Sequence, residues 1–166
     1  RFVELNSVVK VESTSDDSYY TNGSLWGMYG DLSIPTSIYG SQASEAWNTG
    51  FIGTTKTVLG VIDTGIDYTH PDLFQNIWIN QKEISTTLRG LLTDVDADGT
   101  ISFVDLNHAA NVSYVSDLNN NSRIDAGDLL ADSRWEDGND LDSNGYIDDI
   151  VGWDFVNNDN NPMDDV

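Results

Sequence analysis

Apolar residues in this chain come in short bursts, and the spacing within each burst predicts what it forms. Val58, Leu59, Val61 and Ile62 make the densest one. It is too short for a buried helix and β-branched enough to predict a strand covered on both faces, as in a parallel sheet. Asp63 ends the run and Thr64-Gly65 turns the chain, so the carboxylate is expected at the carboxyl edge of the sheet, where open α/β folds gather catalytic groups. Upstream, Ser41 to Trp47 predicts a short helix with Ser41 as its cap, Glu45 near its positive end, Gly50 as its stop and Trp47 in the core. Ser13 to Asp17 is polar and turn-prone, a predicted linker. Phe2-Val3 and Val8-Val9 with Val11 predict two brief extended pieces.

Beyond residue 93 the pattern becomes a repeat. Asp94, Asp117 and Asp140 each open a loop, at intervals of 23 residues, with oxygen side chains two and four places on: Asp96 and Asp98, Asn119 and Asn121, Asp142 and Asn144. Loop position 6 is Gly99, Ser122 and Gly145, and position 8 is Ile101, Ile124 and Ile147. Oxygens at positions 1, 3 and 5, a turn glycine at 6, a backbone carbonyl at 7 and a carboxylate at 12 can wrap a hard cation that takes six to eight oxygens. Position 7 is Thr100, Arg123 and Tyr146, and position 12 is Asp105, Asp128 and Val151. The first loop is thus complete, and the second has Ser122 where the turn favours glycine. The third needs Asp148 or Asp149 to finish it. The isoleucines suggest a small strand pairing such loops. Solvated acidic loops without an ion are the plainer alternative, but three copies in register argue against it.

Charge sharpens this picture. Among 166 residues, 7 Lys and Arg face 28 Asp and Glu, a formal net charge of -21. Eighteen of the acids lie from Asp94 onward, against Arg123 and Arg134 alone. Repulsion on that scale opposes compaction unless cations offset it, and it argues against nucleic acid and anionic membrane surfaces as partners. No apolar run approaches the length needed to span a bilayer, and no signal-peptide pattern opens the chain. Cysteine is absent, so disulfides and thiolate metal sites are excluded. The chain begins with Arg1, which suggests a processed product.

A single Asp-Thr-Gly also occurs in aspartic proteases, which need two copies; here there is one. The longer string Val-Ile-Asp-Thr-Gly-Ile-Asp from Val61, followed by His70-Pro71-Asp72-Leu73, resembles the first catalytic block of the subtilisin-like serine proteases. Gly152-Trp153-Asp154-Phe155 and the segment to Asp165 resemble the approach to that family's His block. The resemblance implies the N-terminal part of an α/β subtilisin-like parallel-sheet fold, with Asp63 as the acid of an Asp-His-Ser triad. It makes His70 structural and Asp72 a match to a family calcium ligand. Residues 1–12 resemble a propeptide tail, with an N-terminal extension forming an ordinary edge strand as the alternative; 13–84 resemble the start of the catalytic domain and 140–166 its return. Residues 85–139 then read as an inserted calcium-binding region, whose first two loops resemble those of dockerin modules.

The resemblance further implies a secreted, calcium-dependent endopeptidase acting on protein or peptide substrates. The His-Gly-Thr-His and Ser blocks are not among these residues, so a second chain is expected to carry the catalytic His and Ser. That chain would begin after a cut in the Asn- and Asp-rich stretch near Asn157 to Val166. The competing reading is a dockerin-like calcium-binding interaction module. His108 is expected at the surface, and Asn22 and Asn111 head glycosylation sequons.

Overall fold

A computed structural model describes residues 14–164; the extended pieces and propeptide-like tail expected in residues 1–12 lie outside them. Contacts divide the chain into two compact units, Arg1–Val58 and Leu59–Val166.

Among the described residues the expected parallel α/β sheet does not form. The described residues contain five α-helices of six residues or fewer and three 3₁₀ turns, and their only β pairing is an isolated antiparallel bridge between Asp154 and Asp159. A strand needs neighbours to take its backbone hydrogen bonds and layers to cover its faces. The Val58 to Ile62 run has neither: Leu59 is 83% exposed and Ile62 103%. Its composition predicted burial, but no described segment covers it.

In the first unit, α1 (Ser18–Thr21) starts at Asp17, whose carboxylate accepts the Tyr19 and Tyr20 N–H groups. The expected helix is α2 (Ala43–Asn48). It is entered through Gln42 in the left-handed region rather than through a Ser41 cap, and closed by Gly50 at φ 92°. Glu45 in its first turn accepts the Leu32 N–H and the Ser44 hydroxyl. Tyr20 meets Tyr29 edge to face at 4.8 Å and Trp47 at 5.9 Å; Trp47 is half-buried against this ring rather than in the core expected for it.

The second unit is built on single-turn helices: α3 (Thr86–Arg89), α4 (Phe103–Leu106) and α5 (Ala126–Leu129). Helices this short are marginal alone, and capping plus packing hold them. Ser102 with Asp105 and Asp125 with Asp128 form capping boxes on α4 and α5, each stabilising by about 1 kcal/mol. Ile101, Phe103, Leu106, Ile124, Ala126 and Leu129 join Ile79, Ile84, Leu88, Trp135 and Ile150 in one buried cluster. Each large aliphatic side chain there contributes about 1.5–3 kcal/mol relative to exposure. The repeat therefore supplies its own core, two copies facing into one cluster.

Ile101 and Ile124 do not pair through strands. Gln81 spans the Ile101 backbone, donating to its carbonyl at 2.8 Å and accepting its N–H at 2.8 Å. Asn107, just after α4, does the same for Ile124 at 2.7 and 2.8 Å. Side-chain amides thus replace the missing ladder. Ile147 is 51% exposed, and Ile150 takes the buried place instead, its carbonyl accepting from Asn80.

Candidate functional site

The acidic loops are organised by local hydrogen bonds repeated in each copy. The position 1 carboxylate accepts two backbone N–H groups: Asp94 from Asp98 and Gly99, Asp117 from Asn121 and Ser122, Asp140 from Asn144 and Gly145. The position 3 oxygens of Asp96, Asn119 and Asp142 accept the N–H of position 5. Those of Asp98, Asn121 and Asn144 accept the N–H of position 7, that is Thr100, Arg123 and Tyr146. Positions 4 and 6 lie in the left-handed region in every copy: Ala97, Asn120 and Ser143 at φ 58–60°, and Gly99, Ser122 and Gly145 at φ 93°, 69° and 96°.

Loop closure follows the same rule. Asp105, wholly buried, accepts the Val95 N–H at 2.8 Å, and Asp128, 1% exposed, accepts that of Leu118 at 2.7 Å. In the third loop Val151 holds position 12, and Glu83 takes over: its carboxylate accepts the Leu141 N–H at 3.4 Å and the Asp142 N–H at 3.0 Å. Asp148 turns away to accept from Asp137 and Gly138. Asp149 is bound by the Asn80 and Asn144 amides at 3.1 and 2.9 Å. Sequence reasoning missed Glu83. A signal for it existed, since Glu83 is the sole acid between Asp72 and Asp94.

Two groups bring three carboxylates within 4.8 Å of one another: Asp94, Asp96 and Asp98, and Glu83, Asp140 and Asp142. The donors are oxygens throughout, the chemistry of a hard divalent cation. Burial, then the charges of Asp149 and Asp142, push the Glu83 carboxyl above the usual range against the pull of its two backbone donors. Asp96 is raised too, by desolvation and by the neighbouring Asp98 and Asp105 charges. In the second loop, asparagines replace two of the carboxylates, and their amides donate to Asp125 at 3.1 and 2.6 Å.

Asp63 lies at an exposed turn and accepts the Thr64 N–H at 2.8 Å. It lines an apolar cleft of about 150 Å³ with Val61, Ile66, Trp153, Phe155, Val156, Pro162 and Met163. Gly65 sets the turn: a Cβ there would stand 2.4 Å from the Asp164 Cα. The next link is Ile66, whose N–H donates to the Pro162 carbonyl at 2.9 Å. Trp153 Nε1 is buried on this cleft without a hydrogen-bond partner among the described residues.

Neither histidine joins Asp63: His70 Nδ1 accepts the Asp72 N–H and His108 Nδ1 that of Ala110. Asp72 is exposed. Of the two sequon asparagines, Asn22 is exposed, whereas Asn111 is wholly buried and donates to the Thr93 and Asp105 carbonyls. That bonding leaves its amide no room for a glycan.

Comparison with known proteins identifies a subtilase-related region. The chain is 30% identical over 124 residues to subtilisin-like protease 1 of Plasmodium berghei (strain Anka), a match covering 75% of this chain and 12% of that protein. It is 33% identical over 110 residues to the Plasmodium falciparum (isolate 3D7) protein of the same name, covering 66% and 9%. The relationship is distant, and the chain spans about a tenth of its curated relatives' length. No family profile and no solved structure matches. No helix among the described residues is long and apolar enough to cross a membrane.

Proposed function

We propose that the chain is part of a secreted, calcium-dependent subtilisin-like serine endopeptidase, in which Asp63 is the triad acid. The reading is carried by the Asp63 block with its His70-Pro71-Asp72-Leu73 continuation, in a chain related to subtilisin-like protease 1. Asp63 accepts the Nδ1 hydrogen of a histidine that lies outside these residues and so fixes its tautomer. Nε2 of that histidine then takes the proton of the catalytic serine as it attacks a peptide carbonyl. The exposure of Asp63 beside an apolar cleft suits an acid that a partner must reach and cover.

Calcium is the proposed cofactor. Asp94, Asp96, Asp98 and Asp105, with the Thr100 carbonyl, would hold one ion, and Glu83, Asp140, Asp142 and Asn144, with the Tyr146 carbonyl, another. The second loop, with Asp117, Asn119, Asn121, Asp128 and the Arg123 carbonyl, carries less charge and binds more weakly. The ions supply structural charge neutralisation rather than chemistry on substrate.

The test is the purified, active material treated with a fluorophosphonate and separated under denaturing conditions. Serine-directed label on the active material, and a loss of turnover on the order of 10⁴-fold in Asp63→Asn with the fold intact, are expected. Full activity in Asp63→Asn would rule out the acid role. A second reading, a calcium-dependent interaction module, is favoured by the equivalence of the first two loops, their capping boxes and their shared core. A folded chain of this mass without label, capturing a partner only with calcium present, would promote it.

A further inference from the structure

Arg123 stands at position 7 of the second loop, where only its backbone carbonyl has a place in ion binding, yet its side chain reaches across the unit. One guanidinium nitrogen, Nη2, donates to the Thr69 carbonyl. Nε faces the wholly buried Asp125 carboxylate at 3.4 Å, and the guanidinium carbon lies 4.8 Å from the centroid of the Phe74 ring. Thr69 and Phe74 bracket the His70-Pro71-Asp72-Leu73 turn that follows the Asp63 block. One cation thus ties the repeat region to the segment that carries the proposed triad acid.

A second contact runs beside it. A Cβ on Gly127 in α5 would stand 3.5 Å from Thr69 Cγ2, so the helix start lies against the same turn. Without a sheet, the Asp63 segment is held by few bonds. Ile66 binds the Pro162 carbonyl, the Tyr68 hydroxyl donates to Asn161 at 2.8 Å, and Thr69 receives Arg123. Of these, the Arg123 bond is charge-assisted and largely shielded from solvent, the class of hydrogen bond that contributes most.

We propose that Arg123 is a positioning residue for Asp63: its guanidinium fork clamps the Thr69–Phe74 turn onto the second acidic loop, making the repeat region the strut of the triad-acid segment. The part concerning the triad rests on the function proposed above; the clamp itself does not. Lysine can reach one acceptor but cannot fork to the carbonyl and the carboxylate while standing over the ring.

Hydrogen exchange on the whole chain tests the clamp without any catalysis. The amides of His70, bonded to the Asp67 carbonyl, and of Leu73 and Phe74, bonded to that of His70, are expected to exchange about ten-fold faster in Arg123→Ala, with Arg123→Lys between the two. The first-loop amides of Gly99 and Thr100 are expected to stay unchanged. Unaltered exchange in the turn, or an equal acceleration everywhere, would overturn the clamp. In the active enzyme, Arg123→Ala is expected to lower kcat about ten-fold at unchanged KM, because the acid and not the substrate is displaced. A raised KM at constant kcat would overturn the positioning role while leaving Asp63 as the acid. Failure of Asp63→Asn to alter turnover would instead remove the function and leave the clamp.

Discussion

Replacing Glu83 by Gln separates a carboxylate that closes the third loop from one that is merely buried nearby. Glu83 is 2% exposed and holds the Leu141 and Asp142 N–H groups, within 4.8 Å of the Asp140 and Asp142 carboxylates. Glutamine keeps the shape and one acceptor but removes a full charge from the ligand set. A charged contact of this kind contributes about 1.5–3 kcal/mol, so calcium affinity at the third loop should fall about ten- to a hundred-fold. Calorimetry gives the total, and Tyr146, 4.9 Å from Trp153, makes the Trp153 share of the fluorescence, defined against Trp153→Phe, report on this loop. Asp105→Asn should weaken the first loop and leave that signal alone.

The metal-free protein supplies an opposite sign. The folded Glu83 pKa is raised above the ordinary value of 4.5, so the native state binds the proton more tightly than the unfolded chain. Stability is then lost as pH rises through the window upward from 4.5, and Glu83→Gln should flatten that decline. A variant with unchanged calcium affinity at the third loop and an unchanged pH slope would refute the closing role.

Two other substitutions probe the backbone. Ser122→Gly relieves a left-handed serine at φ 69° and should stabilise the second loop by about 1 kcal/mol, read as a raised melting temperature and tighter calcium binding; no change would mean the strain is absent. Gly65→Ala sets a methyl 2.4 Å from the Asp164 Cα and should cost about 1–3 kcal/mol in thermal unfolding; an unaltered melting temperature would show that the Asp63 turn does not depend on this close approach.

What could be read in the sequence was what is local. The turns of the three loops organise themselves through bonds spanning two to five residues, such as Asp94 to Gly99 and Asn144 to Tyr146, so their spacing alone disclosed them. The Asp63 block was legible for the same reason, as a contiguous string. The parallel strand was not: Val58 to Ile62 has the composition of a buried strand, but burial depends on what covers it, and Leu59 and Ile62 lie open. Glu83 stood out as an isolated acid, but its loop could not be assigned because its partners are 58 and 59 residues away. The amide clasps of Gln81 and Asn107 join residues 20 and 17 apart, and no hydrophobic period records such a pairing.

Chelation tests whether these polar devices carry the fold or only decorate it. In the second unit, carboxylates and amides do what a sheet ladder does elsewhere: Asp94, Asp117 and Asp140 each take two N–H groups, and Asp105, Asp128 and Glu83 close the loops. Concentrating the acids this way stores repulsion that divalent charge relieves. Because Ile101, Phe103, Ile124 and Ala126 follow the loop turns directly into the core, loosening a loop loosens the packing behind it. Removing calcium should therefore lower the melting temperature and increase exchange at the α4 and α5 amides together, not at the loop tips alone. Potassium at about 1 M shortens the screening length to about 3 Å and should recover only the long-range part of the loss. Full recovery by potassium would mean that bulk ionic strength, not bound calcium, holds the repeat region together.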